Sequence, residues 1–246
     1  MSKAISEADY LKGYDAKAFD APLTTVDTVI FTLKDGQLQV LLVRRSDHPA
    51  QGLWAIPGGF LRLDEDRDLE QAALRILKAK TGVASPYVEQ LLTVGNSKRD
   101  PRGWSVTVVY FALINSEAIE LSKGGNADDV AWFPIHGESV SESLAFDHAQ
   151  LLQQAVERLR AKAEYTALPV HLLPEQFTLT DLQRTFETLL GRPIDKSAFR
   201  RRINDADILE EIDGVFRGGA NRPAQLYRLK DGTRQHFFPR IITSGA

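Results

Sequence analysis

Residues 58–83 read GGFLRLDEDRDLEQAALRILKAKTGV, a glycine pair and Phe60 followed by a charged run that includes Glu65, Glu70 and Arg75. Gly58 and Gly59 leave the backbone open to a closely approaching phosphate or ribose. Upstream, Arg44 and Arg45 end an apolar stretch. A guanidinium there can hold phosphate-type oxygens through two parallel hydrogen bonds, or it can be a solvated strand-end charge. Trp104, in Asp100-Pro101-Arg102-Gly103-Trp104, offers a face for a planar ring, or serves as a core or interface aromatic. Phe146, Asp147 and His148 stand before an apolar-periodic stretch and can line the same cleft, although a lone histidine is more often structural. A second group lies near the other end: Lys196, Ser197, Arg200, Arg201 and Asn204, then Arg217 and Arg222 on either side of Gly218-Gly219. This is chemistry for gripping a polyanion. With no cysteine, disulfides and thiolate metal sites are excluded, and a reducing cytoplasm is compatible.

The elements that must hold these residues follow from the pattern. Residues 24–33 are rich in β-branched side chains and predict a strand; Asp35-Gly36 is a hairpin signal, and residues 38–43 supply the returning strand. Leu69, Ala72, Ala73, Ile76 and Leu77 have helical spacing, and Gly82 is placed to end that helix. Strands are expected at 88–94, 104–114 and 130–135. A helix is expected at 143–163, with Leu144, Leu151, Leu152, Ala155 and Leu159 on one face. Pro169 and Pro174 mark a boundary between domains, which sets an N-terminal arm at 1–21, a first domain at 22–165 and a second at 166–246. The net charge of −3 is uneven. From His171 onward there are 12 Lys+Arg against 10 Asp+Glu, and before it 18 against 23, so the second domain is mildly basic. No apolar run reaches the roughly 20 residues of a membrane span, and the first 22 residues lack the apolar core of a signal peptide.

Residues 58–83 resemble the Nudix box, G-x5-E-x7-R-E-U-x-E-E-x-G-U with U aliphatic. Trp54-Ala55-Ile56-Pro57-Gly58-Gly59-Phe60 matches the usual lead-in, and Gln71–Arg75 and Thr81-Gly82-Val83 match the helix. The match needs a two-residue insertion around residues 64–67. A competing reading, a loop and an unrelated amphipathic helix, has to explain the glycine pair, Arg75 and the Thr-Gly-Val end together. In the family the helix glutamates hold divalent cations against a diphosphate, because hard cations take oxygen ligands. Anchored on Gly82, those positions carry Ile76, Ala79 and Lys80. No catalytic residue, resident metal or required cofactor is therefore expected. The alternative is a weak hydrolase that holds metal through Glu65, Glu70 and acids elsewhere. Arg75, deprived of its family partner, must either find another acid or face a ligand anion.

Beyond the prolines, Thr178 or Thr180 can cap a helix carrying Leu182, Phe186 and Leu189 or Leu190. Asp195 can cap a second helix from 196 to about 206, with Phe199, Ile203 and Ala206 inward and the basic residues outward. Strands at 209–216 and 224–229 flank a Gly-Arg tip. The arrangement resembles a winged helix-turn-helix, with Arg217 and Arg222 as wing contacts; a solvated basic face is the competing reading. A degenerate Nudix domain joined to a winged helix resembles the Nudix-related transcriptional regulators of NAD metabolism. The resemblance implies an α/β (α+β) Nudix-type sandwich followed by a DNA-binding domain. It implies a homodimeric cytoplasmic repressor that binds double-stranded palindromic operators and releases them on binding ADP-ribose or a related metabolite. The expected effector contacts are Arg44, Arg45, Gly58, Gly59, Phe60, Arg75, Trp104 and Phe146. A hydrolase of nucleoside diphosphate derivatives with an accessory domain is the reading from another class.

Overall fold

The computed structural model describes residues 5–83, 87–119, 121, 127–218, 223–233 and 235–242. After an exposed helix α1 (Glu7–Gly13), β1 (Leu23–Lys34) and β2 (Gln37–Arg45) form the hairpin expected at Asp35-Gly36. Short strands β3 (Trp54–Ala55) and β4 (Gly58–Phe60) lead to helix α2 (Leu69–Thr81). Strands β5 (Tyr87–Asn96), β6 (Ser105–Leu113) and β7 (Ala127–Pro134) follow. Together they make a seven-stranded mixed sheet in which β1 runs parallel to β6 and antiparallel to β2 and β4.

Alternation along the central strands serves two helical layers. Val29, Phe31, Val40, Leu42, Val109 and Phe111 face helix α3 (His148–Tyr165), while Ile30, Leu41, Val43, Val108 and Tyr110 face α2. Being covered on both sides, β1 reads as an almost continuous buried run. Asp68 caps α2 by accepting from the Gln71 amide, and Gly82 ends it in the left-handed region.

The helix expected at 143–163 starts later, at His148. Phe146 adopts φ +53°, which no α-helix accommodates, and that breaks the chain just before the helix. From Tyr165 the chain passes through a 3₁₀ segment (Leu168–Leu172) into α4 (Leu179–Leu190), α5 (Lys196–Ala206) and the hairpin β8 (Leu209–Arg217) and β9 (Ala224–Leu229). Of the two threonines, Thr178 caps α4, in a reciprocal capping box with Asp181. Phe177, Phe186, Phe199 and Ile203 form a separate small core, joined by Phe238 and Ile242 from the end of the chain. Leu168, Leu172 and Leu189 pack instead with the α3 layer, so the two units share apolar surface.

Candidate effector cleft and nucleic-acid interface

A cleft opens where β1, β2 and β4 meet the start of α3. It draws Thr25 and Asp27 from β1, Arg45 from β2, Gly58, Gly59 and Phe60 from β4, the loop residues Arg99, Asp100 and Arg102, and Phe146 and His148 at the start of α3. Five of the expected effector contacts therefore come together: Arg45, Gly58, Gly59, Phe60 and Phe146. Arg44, Arg75 and Trp104 do not line it.

Each exclusion has a physical cause. Successive strand side chains point to opposite faces, so Arg45 continues the Leu41–Val43 side and reaches the cleft, while Arg44 falls on the other and donates to the Gly52 carbonyl at 3.1 Å. Trp104 is half-exposed and lies over Gly95; a Cβ on Gly95 would come within 2.9 Å of its ring. Arg75 has found another acid. It forms a fork with Asp66, Nε to Oδ1 at 2.7 Å and Nη2 to Oδ2 at 2.7 Å, and Nη2 also donates to the Phe60 carbonyl at 3.3 Å. Hydrogen bonding from Arg75 lowers the Asp66 pKa to about 2. Asp66 belongs to the loop that carries the two-residue insertion, so the insertion supplies the partner that the box helix lacks.

The polar wiring of the cleft was not legible in the sequence. Asp27 is buried, accepts from Thr107 Oγ1 at 2.7 Å and lies 3.8 Å from Arg99. Gly58 is glycine because a Cβ would sit 1.8 Å from Asp27 Oδ1, whereas a Cβ on Gly59 meets nothing within 4 Å. Arg99 forks onto Asp147, with both bonds at 3.0 Å. That carboxylate precedes α3 yet makes no capping bond to it. Arg102 forks onto Asp100, whose carboxyl is held below its ordinary range by that guanidinium, and lies 5.2 Å from the centre of the Phe60 ring. Buried His148 accepts the Ile56 amide on Nδ1 at 2.9 Å; burial lowers its pKa and keeps it neutral. Among the described residues, Arg45 is the cleft guanidinium with no carboxylate within ion-pair distance. It donates to the Pro49 and Asp47 carbonyls and sits 5.0 Å from the Phe146 ring centre. The cleft thus offers one guanidinium whose charge no carboxylate neutralises, two aromatic faces and an open glycine backbone. A lone acid inside a β-branched run is the sequence signal that could have marked Asp27; Arg102 lies within the Asp100–Trp104 segment and Arg99 just before it.

At the other end, Lys196, Ser197, Arg200, Arg201 and Asn204 are exposed along α5, opposite buried Phe199 and Ile203. Among the described residues Lys196, Arg200 and Arg201 form no ion pair. Arg217 differs from expectation. It is committed to Asp181 at 2.7 Å and also donates to the Gln176 carbonyl, because Phe177 just before α4 pairs with Tyr227 of β9 and brings the hairpin alongside. The other described cations of the hairpin are likewise engaged, Arg228 with Glu210 and Lys230 with Asp207. Arg222 lies outside the described residues.

Residues 23–155 match the NUDIX domain, and residues 169–229 match the NrtR DNA-binding winged helix domain. The ADPR responsive transcriptional repressor NtrR of Acinetobacter baylyi is 46% identical over 237 residues, 96% of this chain and 94% of its own. The chain belongs to the NrtR family. Shewanella oneidensis NrtR, crystallised with a 27mer DNA, is 48% identical and superposes with a TM-score of 0.83, covering 90% of this chain and all of that one. The NUDIX domain of the same NrtR, crystallised with ADP ribose, is 54% identical over 63% of this chain and 99% of its own, with a TM-score of 0.59.

In this NrtR-family chain the Nudix box positions do not fit a divalent cation. Ile76 is buried in the α2-side core beside Ala72, Ala73 and Leu77, Ala79 presents a methyl group, and Lys80 is a cation whose pKa burial lowers. None supplies an oxygen ligand. Glu65 pairs with Arg62 on the exposed loop, 2.9 Å apart.

Proposed function

We propose that the chain is a transcriptional repressor of genes for NAD synthesis or salvage. In this reading it binds a palindromic operator as a cytoplasmic homodimer and lets go when ADP-ribose occupies the Nudix cleft. The observation that carries the reading is one helix with two ends. Phe146 and His148 at the start of α3 line the cleft, and its end leads through the 3₁₀ segment Leu168–Leu172 into a helix-turn-helix whose second helix presents cations without ion pairs among the described residues. Support comes from the relatives, one named as ADPR responsive, another crystallised with DNA and with ADP ribose. Arg45 is the group suited to the diphosphate, and Phe60 and Phe146 are suited to flat or apolar parts of the ligand. Lys196, Ser197, Arg200, Arg201 and Asn204 are suited to the major groove.

Release requires that ADP-ribose bind the DNA-incompetent arrangement more tightly, since equal affinity for both shifts nothing. A coupling of ~1–3 kcal/mol corresponds to roughly 5–150-fold in operator affinity, and operator DNA must weaken ADP-ribose binding by the same factor. Titrating ADP-ribose into free and operator-bound protein tests this; equal affinities would remove gating by this ligand.

The match to the NUDIX domain by itself favours a second reading, a hydrolase of nucleoside diphosphate derivatives with an accessory winged helix. The chemistry of Ile76, Ala79 and Lys80 argues against it. Incubation of ADP-ribose with the protein and Mg²⁺ or Mn²⁺ should release no AMP. Steady release that disappears on Glu65→Gln and Glu70→Gln would establish the hydrolase.

A further inference from the structure

Residues 236–242 leave the hairpin and return across both α5 and the end of α3. On the α3 side, the Phe238 amide donates to the Tyr165 carbonyl at 2.8 Å, and the Ile242 amide donates to the Glu164 carbonyl at 2.8 Å. The Ala167 amide donates to the His236 carbonyl at 3.0 Å. Phe238 and Ile242 are buried in the winged-helix core. On the α5 side, Arg202 carries the polar connection among the described residues. Arg202 donates from Nη1 to the Arg240 carbonyl and from Nη2 to the Ile241 carbonyl at 2.8 Å, with its guanidinium 5.0 Å from the centre of the Phe238 ring. Arg192, in the turn before α5, closes the loop: it donates to the Ile242 carbonyl at 2.6 Å and lies 3.5 Å from Glu164.

Arg202 is therefore unlike its neighbours Arg200 and Arg201. They are exposed and form no ion pair among the described residues; Arg202 is half-buried, and its fork is spent on two backbone carbonyls of another segment. The same seven residues are hydrogen-bonded to the last turn of the helix that starts at the cleft. We propose that residues 236–242 are a strap that fixes the orientation of α5 relative to α3, with Arg202 as the positioning residue that ties the strap to the reading helix. The inference rests on the DNA-binding reading of α5.

The physical consequence is selective. Hydrogen bonds to base edges depend on helix placement, whereas phosphate attraction tolerates tilt and slip. Loosening the strap should degrade sequence discrimination and leave general DNA affinity alone.

The test compares wild type with Arg202→Met, which keeps an unbranched apolar side chain and removes the fork. Two duplexes of equal length are used, one enriched by the wild-type chain from a random-sequence pool and one unselected. Affinity for the selected duplex should fall at least roughly tenfold. Affinity for the unselected duplex, and its salt dependence, should not change, and ADP-ribose binding should match wild type. Hydrogen exchange at the Phe238 and Ile242 amides should accelerate. Unchanged discrimination overturns the proposal. So does a drop of about one in the salt slope on the unselected duplex, which would make Arg202 a direct phosphate contact. If Arg202→Met does not fold, Arg202→Lys keeps the charge, loses the fork and carries the same comparison. If the wild-type chain enriches no duplex, the repressor reading fails, and amide exchange alone decides the strap: unaltered protection at Phe238 and Ile242 sinks it.

Discussion

Removing the Asp66 carboxylate should cost stability and weaken effector binding together. Asp66 and Arg75 share two short, parallel, charge-assisted bonds, and Arg75 also donates to the Phe60 carbonyl at the cleft wall. A pKa held at about 2 instead of 3.8 corresponds to about 2 kcal/mol of stabilisation of the charged form. The pair is partly exposed, so solvent screening reduces the coupling to about 1 kcal/mol. The assay is a double-mutant cycle of Asp66→Asn and Arg75→Met by urea denaturation at pH 7. Because the folded pKa lies below the unfolded one, the contribution is complete above about pH 4 and should have fallen by about half at pH 3. Asp66→Asn should also weaken ADP-ribose binding, since Phe60 loses its brace, and should leave DNA affinity without effector unchanged. A coupling within about 0.3 kcal/mol of zero, or one insensitive to pH between 5 and 3, would refute the claim that the loop insertion replaces the missing box glutamate.

Arg200→Ala and Arg201→Ala should each cost ~1–3 kcal/mol of operator affinity if they read base edges, and should mainly lower the salt slope if they hold phosphates. Binding equal to wild type in both would remove α5 from the interface. Arg217→Ala should affect DNA binding less than either, because its partner is Asp181; a larger loss would show that the ion pair opens on DNA. His148 is neutral in the fold with its pKa lowered by burial, so stability should be constant above its ordinary pKa of 6.5 and fall as pH drops below it. In His148→Asn the side-chain oxygen can still accept the Ile56 amide. Melting curves that fall with pH as steeply as wild type would assign the acid sensitivity to other groups.

The layers were legible because they follow from periodicity. A β-branched run and the Asp35-Gly36 turn signal pointed to the hairpin, and period-3.6 runs to α2 and the Phe199–Ile203 face of α5. What the sequence concealed is what depends on partners far along the chain. Arg44 and Arg45 look alike as text and differ only through the pleat. Arg217 looks like a free wing cation until Asp181, 36 residues earlier, is brought beside it. Arg202 belongs to a basic triplet, but its role is set by carbonyls 38 and 39 residues away.

The cleft is also where local rules are broken, and the exceptions coincide. Phe146 is a bulky residue in the left-handed region, Asp147 stands at a helix start without capping it, and Asp27 is a carboxylate buried inside an apolar strand. Each carries a cost: strain at Phe146, a capping bond typically worth about 1 kcal/mol at Asp147, and desolvation at Asp27. The three are one arrangement. Arg99 takes the carboxylate that α3 would otherwise use, lies beside Asp27, and so ties the start of α3 to the floor of the cleft. A helix capped by its own side chain would be more stable and indifferent to what occupies the cleft. One whose first turn depends on a guanidinium in the cleft wall has its position set there, which the proposed release of DNA through α3 would require.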